Sequence, residues 1–173
     1  MAWLPNTKQY DLPILDHGHR DTTRLIVIHC IEGGARGARD YFQGGTGGNP
    51  GVGAHLIMGK TPEESWQLVN LDNVCWHAVG ANHQGPGIEH DGYSADSTWT
   101  WMRKRDMLNR SAARVAWICH QYGLGRPKRR VNVFSHSDGG AAWGGHGDPG
   151  PGWPWTYYML RANWFYLRHW GRR

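Results

Sequence analysis

The stretch Leu25-Ile26-Val27-Ile28-His29-Cys30 decides how the rest of the chain is read. Four consecutive apolar residues, three of them β-branched, are long enough for a buried strand. The run ends directly on a histidine, and a strand end is rigid enough to hold a polar side chain in place. Working outward, Ala54 to Met58 and Ser65 to Val69 read as two short strands around a turn at Gly59 to Glu63. Gly87-Ile88-Glu89 is a third strand piece, and Val131 to Phe134 is another that stops just before His136. Helical spacing takes over between them. A short helix is expected over Ala35 to Phe42. A long one runs from about Ser97 to Tyr122, with Leu108, Ala112, Val115, Ala116, Cys119 and Tyr122 on one apolar stripe and Gly123 where the helix should stop. Trp155 to Trp170 reads as a terminal helix capped by Thr156. Glycine-dense Gly33 to Gly53, Trp76 to Gly85 and Gly139 to Pro154 read as loops, and residues 1–23 as a polar, irregular N-terminal arm. Strands alternate with helices and nothing repeats, which predicts an α/β domain spanning residues 1–173.

Composition narrows the class. In 173 residues there are 25 Gly, 11 Trp and 11 His. So many Trp exclude disorder, and the glycines follow no collagen period. No apolar run approaches the roughly 20 residues of a membrane span. Met1-Ala2-Trp3-Leu4-Pro5 lacks the basic and apolar regions of a leader, so synthesis in the cytoplasm without a signal peptide is expected. Lys and Arg number 19 against 14 Asp and Glu, a net charge of +5. The basic residues gather at Arg103 to Arg105, Arg126 to Arg130 and Arg161 to Arg173. No aromatic-basic motif accompanies them, so they read as a solvated face and not as a nucleic-acid surface. Cys30, Cys75 and Cys119 are odd in number and form no C-x-x-C pair, which points to reduced thiols.

His29, His136 and Asp148 carry the chemistry. Each histidine closes or follows an apolar strand, and Asp148 lies in the loop beyond. Two His and one carboxylate leave the fourth position of a tetrahedral zinc open to water, as a hydrolytic site needs. Spacing alone leaves ordinary core or surface histidines as the other reading, and His17-Gly18-His19 is a second pair without a rigid neighbour.

The motifs in order sharpen this. Ile26-Val27-Ile28-His29-Cys30 resembles the first-ligand strand of the zinc-dependent N-acetylmuramoyl-L-alanine amidases, the family that includes amidase-type phage lysozymes and the peptidoglycan-recognition proteins. Gly53-Ala54-His55-Leu56-Ile57, Val74-Cys75-Trp76-His77-Ala78 and Gly87-Ile88-Glu89 resemble its next three segments. Ser135-His136-Ser137-Asp138 resembles its second-ligand region, and Asp148-Pro149-Gly150-Pro151-Gly152-Trp153-Pro154-Trp155 its third. The resemblance implies a mixed central sheet flanked by helices, with Zn2+ on His29, His136 and Asp148. It implies hydrolysis of the bond between N-acetylmuramic acid and L-alanine in peptidoglycan, with Glu89 as general acid and base. His146 stands where the family often carries a Lys that stabilises the oxyanion. Ala54 stands where the phage-lysozyme branch has a Tyr, which shifts weight onto Glu89. His77 and Trp76 are expected to line the substrate cleft, His55 to pack inside its strand, and Cys30 to point to the opposite face from His29. Trp143 and Trp153 could stack on sugars or fill the core, and Asp91 and Asp138 receive no role. A monomeric phage endolysin is the expected setting, acting on the wall after the membrane is breached, with no membrane insertion of its own. A muropeptide-recycling amidase and a non-catalytic peptidoglycan-binding module are the alternatives.

Overall fold

The computed structural model describes residues 2–44 and 51–171. Among the described residues six short strands form one mixed sheet: β1 Lys8–Gln9, β2 Ile26–Ile28, β3 Leu56–Met58, β4 Trp66–Gln67, β5 Gly87–His90 and β6 Val133–Ser135. They lie in the order β1-β4-β3-β5-β2-β6. Among these strand pairings only β3–β4 is antiparallel. The helices are α1 Ala35–Phe42, α2 Thr98–Met102, α3 Arg105–Gln121 and α4 Trp155–Trp170, with a 3-10 segment His136–Trp143 directly after β6. None of the described helices is long and apolar enough to cross a membrane.

Strand alternation divides the core. Ile26, Ile28, Leu56, Met58 and Ile88 point to the face covered by α3 and α4, where they meet Met107, Leu108, Ala112, Val115, Tyr158 and Ala162. Cys30 joins this side, opposite to His29 as strand alternation demands. The other face is covered by two smaller clusters. One gathers Leu12, Leu15, Ala35, Ala38 and Ile57; the other gathers Leu25, Val27, Ala78 and Ala81 beneath Phe134 and Trp143. The loops on this second face shape the cleft.

Three expectations are corrected. The stretch predicted as one helix from Ser97 is two, because the chain turns at Arg103 and Lys104. Lys104 folds back so that its Nζ donates to the Asp91 carbonyl at 3.0 Å and pairs with Asp96 at 2.9 Å, while Trp101 drops fully into the core. At the other end Gly123 does close α3: its N–H donates to His120 and that of Leu124 to Cys119, which satisfies two otherwise orphaned carbonyls. Thr156 does not cap α4; Pro154 occupies the cap position and no side chain caps the first turn. The N-terminal arm is not irregular throughout. β1 adds a parallel edge strand against β4, and Leu4, Leu12 and Leu15 are buried. Buried amides stitch it down: Leu4 N–H donates to the Gln67 side chain, whose NH2 donates back to the Ala2 carbonyl. The glycine-dense loop before β3 is only partly visible, since 45–50 lie outside the described residues.

Candidate active site

Parallel register assembles the site at the carboxyl ends of β5, β2 and β6. Ile28 pairs with Ile88 on one side and with Ser135 on the other. One residue further along each strand, Glu89, His29 and His136 therefore stand side by side on one face. Ligand sites in such sheets characteristically form at these carboxyl ends. Here they open into a cleft of about 740 Å³ lined by these three residues together with Asp148, His77 and His146, among others.

Asp148 reaches the cluster from the loop after the 3-10 segment. Its Oδ2 lies 3.0 Å from His29 Nδ1 and its Oδ1 lies 3.0 Å from His136 Nδ1. The three donor atoms fall within 4.8 Å of one another, and all three residues are buried. Hydrogen bonds elsewhere on the rings fix the tautomers. His77 Nε2–H donates to the Gly85 carbonyl at 3.0 Å, so its Nδ1 accepts from His29 Nε2 at 3.1 Å. His136 Nε2 donates to the Trp143 carbonyl at 2.7 Å. Both Nδ1 atoms are thus left with lone pairs facing the two oxygens of a carboxylate. Such an arrangement is repulsive unless a cation lies among them. Nitrogen and oxygen ligands about 2.0 Å from a tetrahedral zinc are separated by roughly 3.3 Å, close to the spacing present here. The donor set fits a metal ion.

The electrostatics agree. Burial alone would lower His136, but its bonds to Asp148 and Trp143 outweigh this and raise its pKa, a proton partly standing in for the cation. Burial would raise Asp148, yet the proximity of His136 and His29 outweighs it and holds the carboxyl far below the usual carboxylate range. His29 is lowered, chiefly by burial, and stays neutral as a ligand must. Glu89 is the opposite case. Burial first, then Asp148 and Glu32, push its carboxyl well above the ordinary value, and its Oε2 is buried without a hydrogen-bond partner. A carboxyl raised in this way holds its proton more readily than an ordinary one, which suits a group that must both take and return a proton.

The other expected residues fall around this centre. His146 is exposed on the cleft wall and stacks on His136, ring centroids 4.8 Å apart and planes within 16°. Trp76 is 44% exposed and lines the cleft, its ring stacked on His17 at 3.8 Å. His77 lines the cleft as well, but both its ring nitrogens are committed, to His29 and to Gly85. It packs against β5 so closely that a Cβ on Gly87 would lie 2.6 Å from the ring, which requires glycine there. His55 is fully buried, donating to the Asn73 carbonyl and accepting from Gly87 N–H. Trp153 is core and Trp143 is half-buried against Phe134. All three cysteines are buried and unpaired.

Asp138, which sequence left without a role, anchors the turn that presents His136. It accepts from Ser135 N–H at 2.7 Å and pairs with Arg129 and Arg130, while Ser135 and Asp138 form a reciprocal capping box. Burial opposes ionisation, but these partners bring its pKa down to about 2. Because the folded value lies below the unfolded one of about 3.9, the stabilisation is complete above that pH and disappears as pH falls through about 2. Asp138→Ala is expected to cost about 2 kcal/mol at neutral pH, from the lost cap and charge-assisted bonds. Urea unfolding at pH 7 and pH 2 checks it: the gap between variant and parent should close in acid.

The comparisons with known proteins come out in one direction. Residues 19–151 match the N-acetylmuramoyl-L-alanine amidase family. N-acetylmuramoyl-L-alanine amidase A of Achromobacter lyticus is 30% identical over 157 residues, covering 82% of this chain and 84% of that protein. Among solved structures, the Staphylococcus aureus hydrolase AmiA, determined with its ligand, superposes with a TM-score of 0.76 at 16% identity, over 99% of this chain and 88% of that one. The endolysin amidase LysCS of Clostridium intestinale gives 0.65 at 16% identity, over 94% and 99%. The match extends over most of the chain and includes all three residues of the cluster, and the fold agrees with it: this chain belongs to the N-acetylmuramoyl-L-alanine amidase family.

Proposed function

We propose that the chain is a zinc-dependent amidase that detaches stem peptides from the glycan of peptidoglycan, and that it serves as a wall-lysing enzyme of the endolysin type. The observation that carries the zinc reading is the pair of His Nδ1 lone pairs turned toward Asp148. A zinc ion held by His29, His136 and Asp148 would polarise the scissile carbonyl and acidify a bound water.

The chain's own residues would do the rest. Glu89, raised by burial and without a partner at Oε2, takes the proton of the attacking water and passes it to the departing amine nitrogen of L-alanine. His146, stacked on His136 at the cleft wall, donates a ring N–H to the carbonyl oxygen as charge builds there. Trp76, backed by His17, offers a flat apolar surface to the substrate. His77 acts through His29 by fixing its tautomer and orientation. Outer partners of this kind are worth about 10–100-fold in metal affinity. His77→Ala should weaken zinc binding by about that factor and leave KM at saturating zinc near the parent value. A KM effect at saturating zinc would instead place His77 against the substrate.

Lysis of purified walls should stop on chelation and return with zinc. Wall lysis unaffected by a strong chelator would overturn the metal reading. The exposed rim residues Val52, Trp76 and Val79 favour a large polymeric substrate. Turnover of intact sacculi at least comparable to that of soluble muropeptides supports the lytic role. Activity confined to soluble fragments would favour a recycling amidase.

A further inference from the structure

Glu32 is a third carboxylate in the cleft, beside Asp148 and Glu89, and the catalytic scheme does not use it. It sits on the loop leaving β2, three residues beyond His29, with φ 55°. A left-handed backbone costs a non-glycine residue about 1–3 kcal/mol and persists only where its surroundings impose it. Here the side chain is exposed yet held. Ser94 donates its backbone N–H at 2.9 Å and its hydroxyl to Oε1, and the Cys30 thiol donates to the same oxygen at 3.3 Å. Ser94 is itself pressed against the Asp148 loop. A Cβ on Gly150 (φ 85°) would lie 1.9 Å from the Ser94 carbonyl oxygen. The carboxylate is therefore tied to the metal cluster from two directions, through Cys30 beside His29 and through Ser94 beside the loop of Asp148.

All three donors take Oε1. Among the described residues no hydrogen bond reaches Oε2, and no Lys, Arg or His lies within ion-pair distance of this carboxylate. Partial burial and Asp148 push the carboxyl up, but the Ser94 donors outweigh them and hold it below its ordinary value, so it is charged at neutral pH. A fixed anion with one open oxygen, on the wall of a substrate cleft, is suited to a cation that the substrate brings. In peptidoglycan the sugar amines are acetylated and the lactyl carboxyl is in the scissile amide, which leaves the amine of a diamino acid in the stem peptide.

We propose that Glu32 is a specificity residue whose free oxygen receives an ammonium group on the stem peptide while the amide is seated at the cluster. This rests on the amidase reading of the cleft. The same charge would repel a stem peptide that presents a carboxylate there, which adds discrimination to affinity.

The test uses two soluble muramyl peptides that differ only in whether the diamino acid's side-chain amine is free or N-acetylated. For the parent, KM should be about fivefold lower with the free amine, the upper end of what a solvent-accessible ion pair supplies. In Glu32→Gln that ratio should fall to about one. Ser94→Ala, which leaves the charge but loosens it, should give an intermediate ratio. A parent ratio of one, or a ratio unchanged in Glu32→Gln, overturns the proposal. An indirect effect through Glu89 would shift both substrates together and leave the ratio intact. Salt supplies a reading without any variant: the parent's KM should rise with ionic strength for the free amine more steeply than for the acetylated peptide. Equal salt dependence for both contradicts the ion pair. If the parent hydrolyses neither peptide but both bind with the expected difference, the amidase reading fails and the Glu32 site stands.

Discussion

Glu89→Gln is expected to lower kcat by about 10²–10⁴-fold while the protein keeps its full metal content. The amide is isosteric, so the cleft retains its shape, but it can neither accept the proton of water nor return one to the leaving amine. Glu89 is not among the three converging metal donors, which is why metal content should not follow activity. The same substitution should stabilise the metal-free chain at neutral pH. A carboxyl whose folded pKa is raised binds its proton more tightly when folded. Stability is therefore lost as pH climbs above the unfolded value of about 4.3 toward the folded one. Gln carries no such penalty. Thermal unfolding in chelator should give the variant the higher Tm at pH 7, with the difference vanishing near pH 4. A variant that stayed fully active, or lost its metal along with its activity, would remove Glu89 from the acid–base role.

Asp148→Ala is expected to abolish wall lysis by removing the metal itself. Without this carboxylate the site keeps two neutral imidazoles and no anion, and two ligands do not retain a divalent ion through dialysis. Parent protein should carry one zinc per chain by elemental analysis, and Asp148→Ala almost none. His29→Ala should behave in the same way. Retention of stoichiometric zinc in Asp148→Ala would mean that the ion is held elsewhere.

Much of this site was legible because it lies where sequence is most explicit. Leu25 to Ile28 and Val131 to Phe134 are apolar runs that deliver their next or nearby residue to a strand end, so His29 and His136 could be picked out before any contact was known. Glu89 followed from its strand piece and from the order of the motifs. Other features depended on contacts that no local pattern encodes. β1 is two residues long and has no period to detect; its place in the sheet comes from Gln67 and Asn70 bonding to the arm. The break at Lys104 reflects where its ammonium finds the Asp91 carbonyl, not a change in helical spacing. His77 was visible as a cleft residue, but its bonds to His29 and Gly85 depend on the approach of separate segments. Glu32 gave no signal in sequence because its donors, Cys30 and Ser94, are brought together only by the closed fold. Asp138 could have been suspected from the Ser135–Asp138 spacing, which is that of a capping box.

The mass spectrum of products released from purified peptidoglycan, recorded with chelator and again after zinc is restored, is the decisive measurement of zinc-dependent amide cleavage by this chain. Stem peptides with new free L-alanine amino termini and glycan strands left uncut are expected, absent in chelator and returning with zinc. Glycan fragments with new reducing ends, peptides cut at another bond, or the same products in chelator would contradict it.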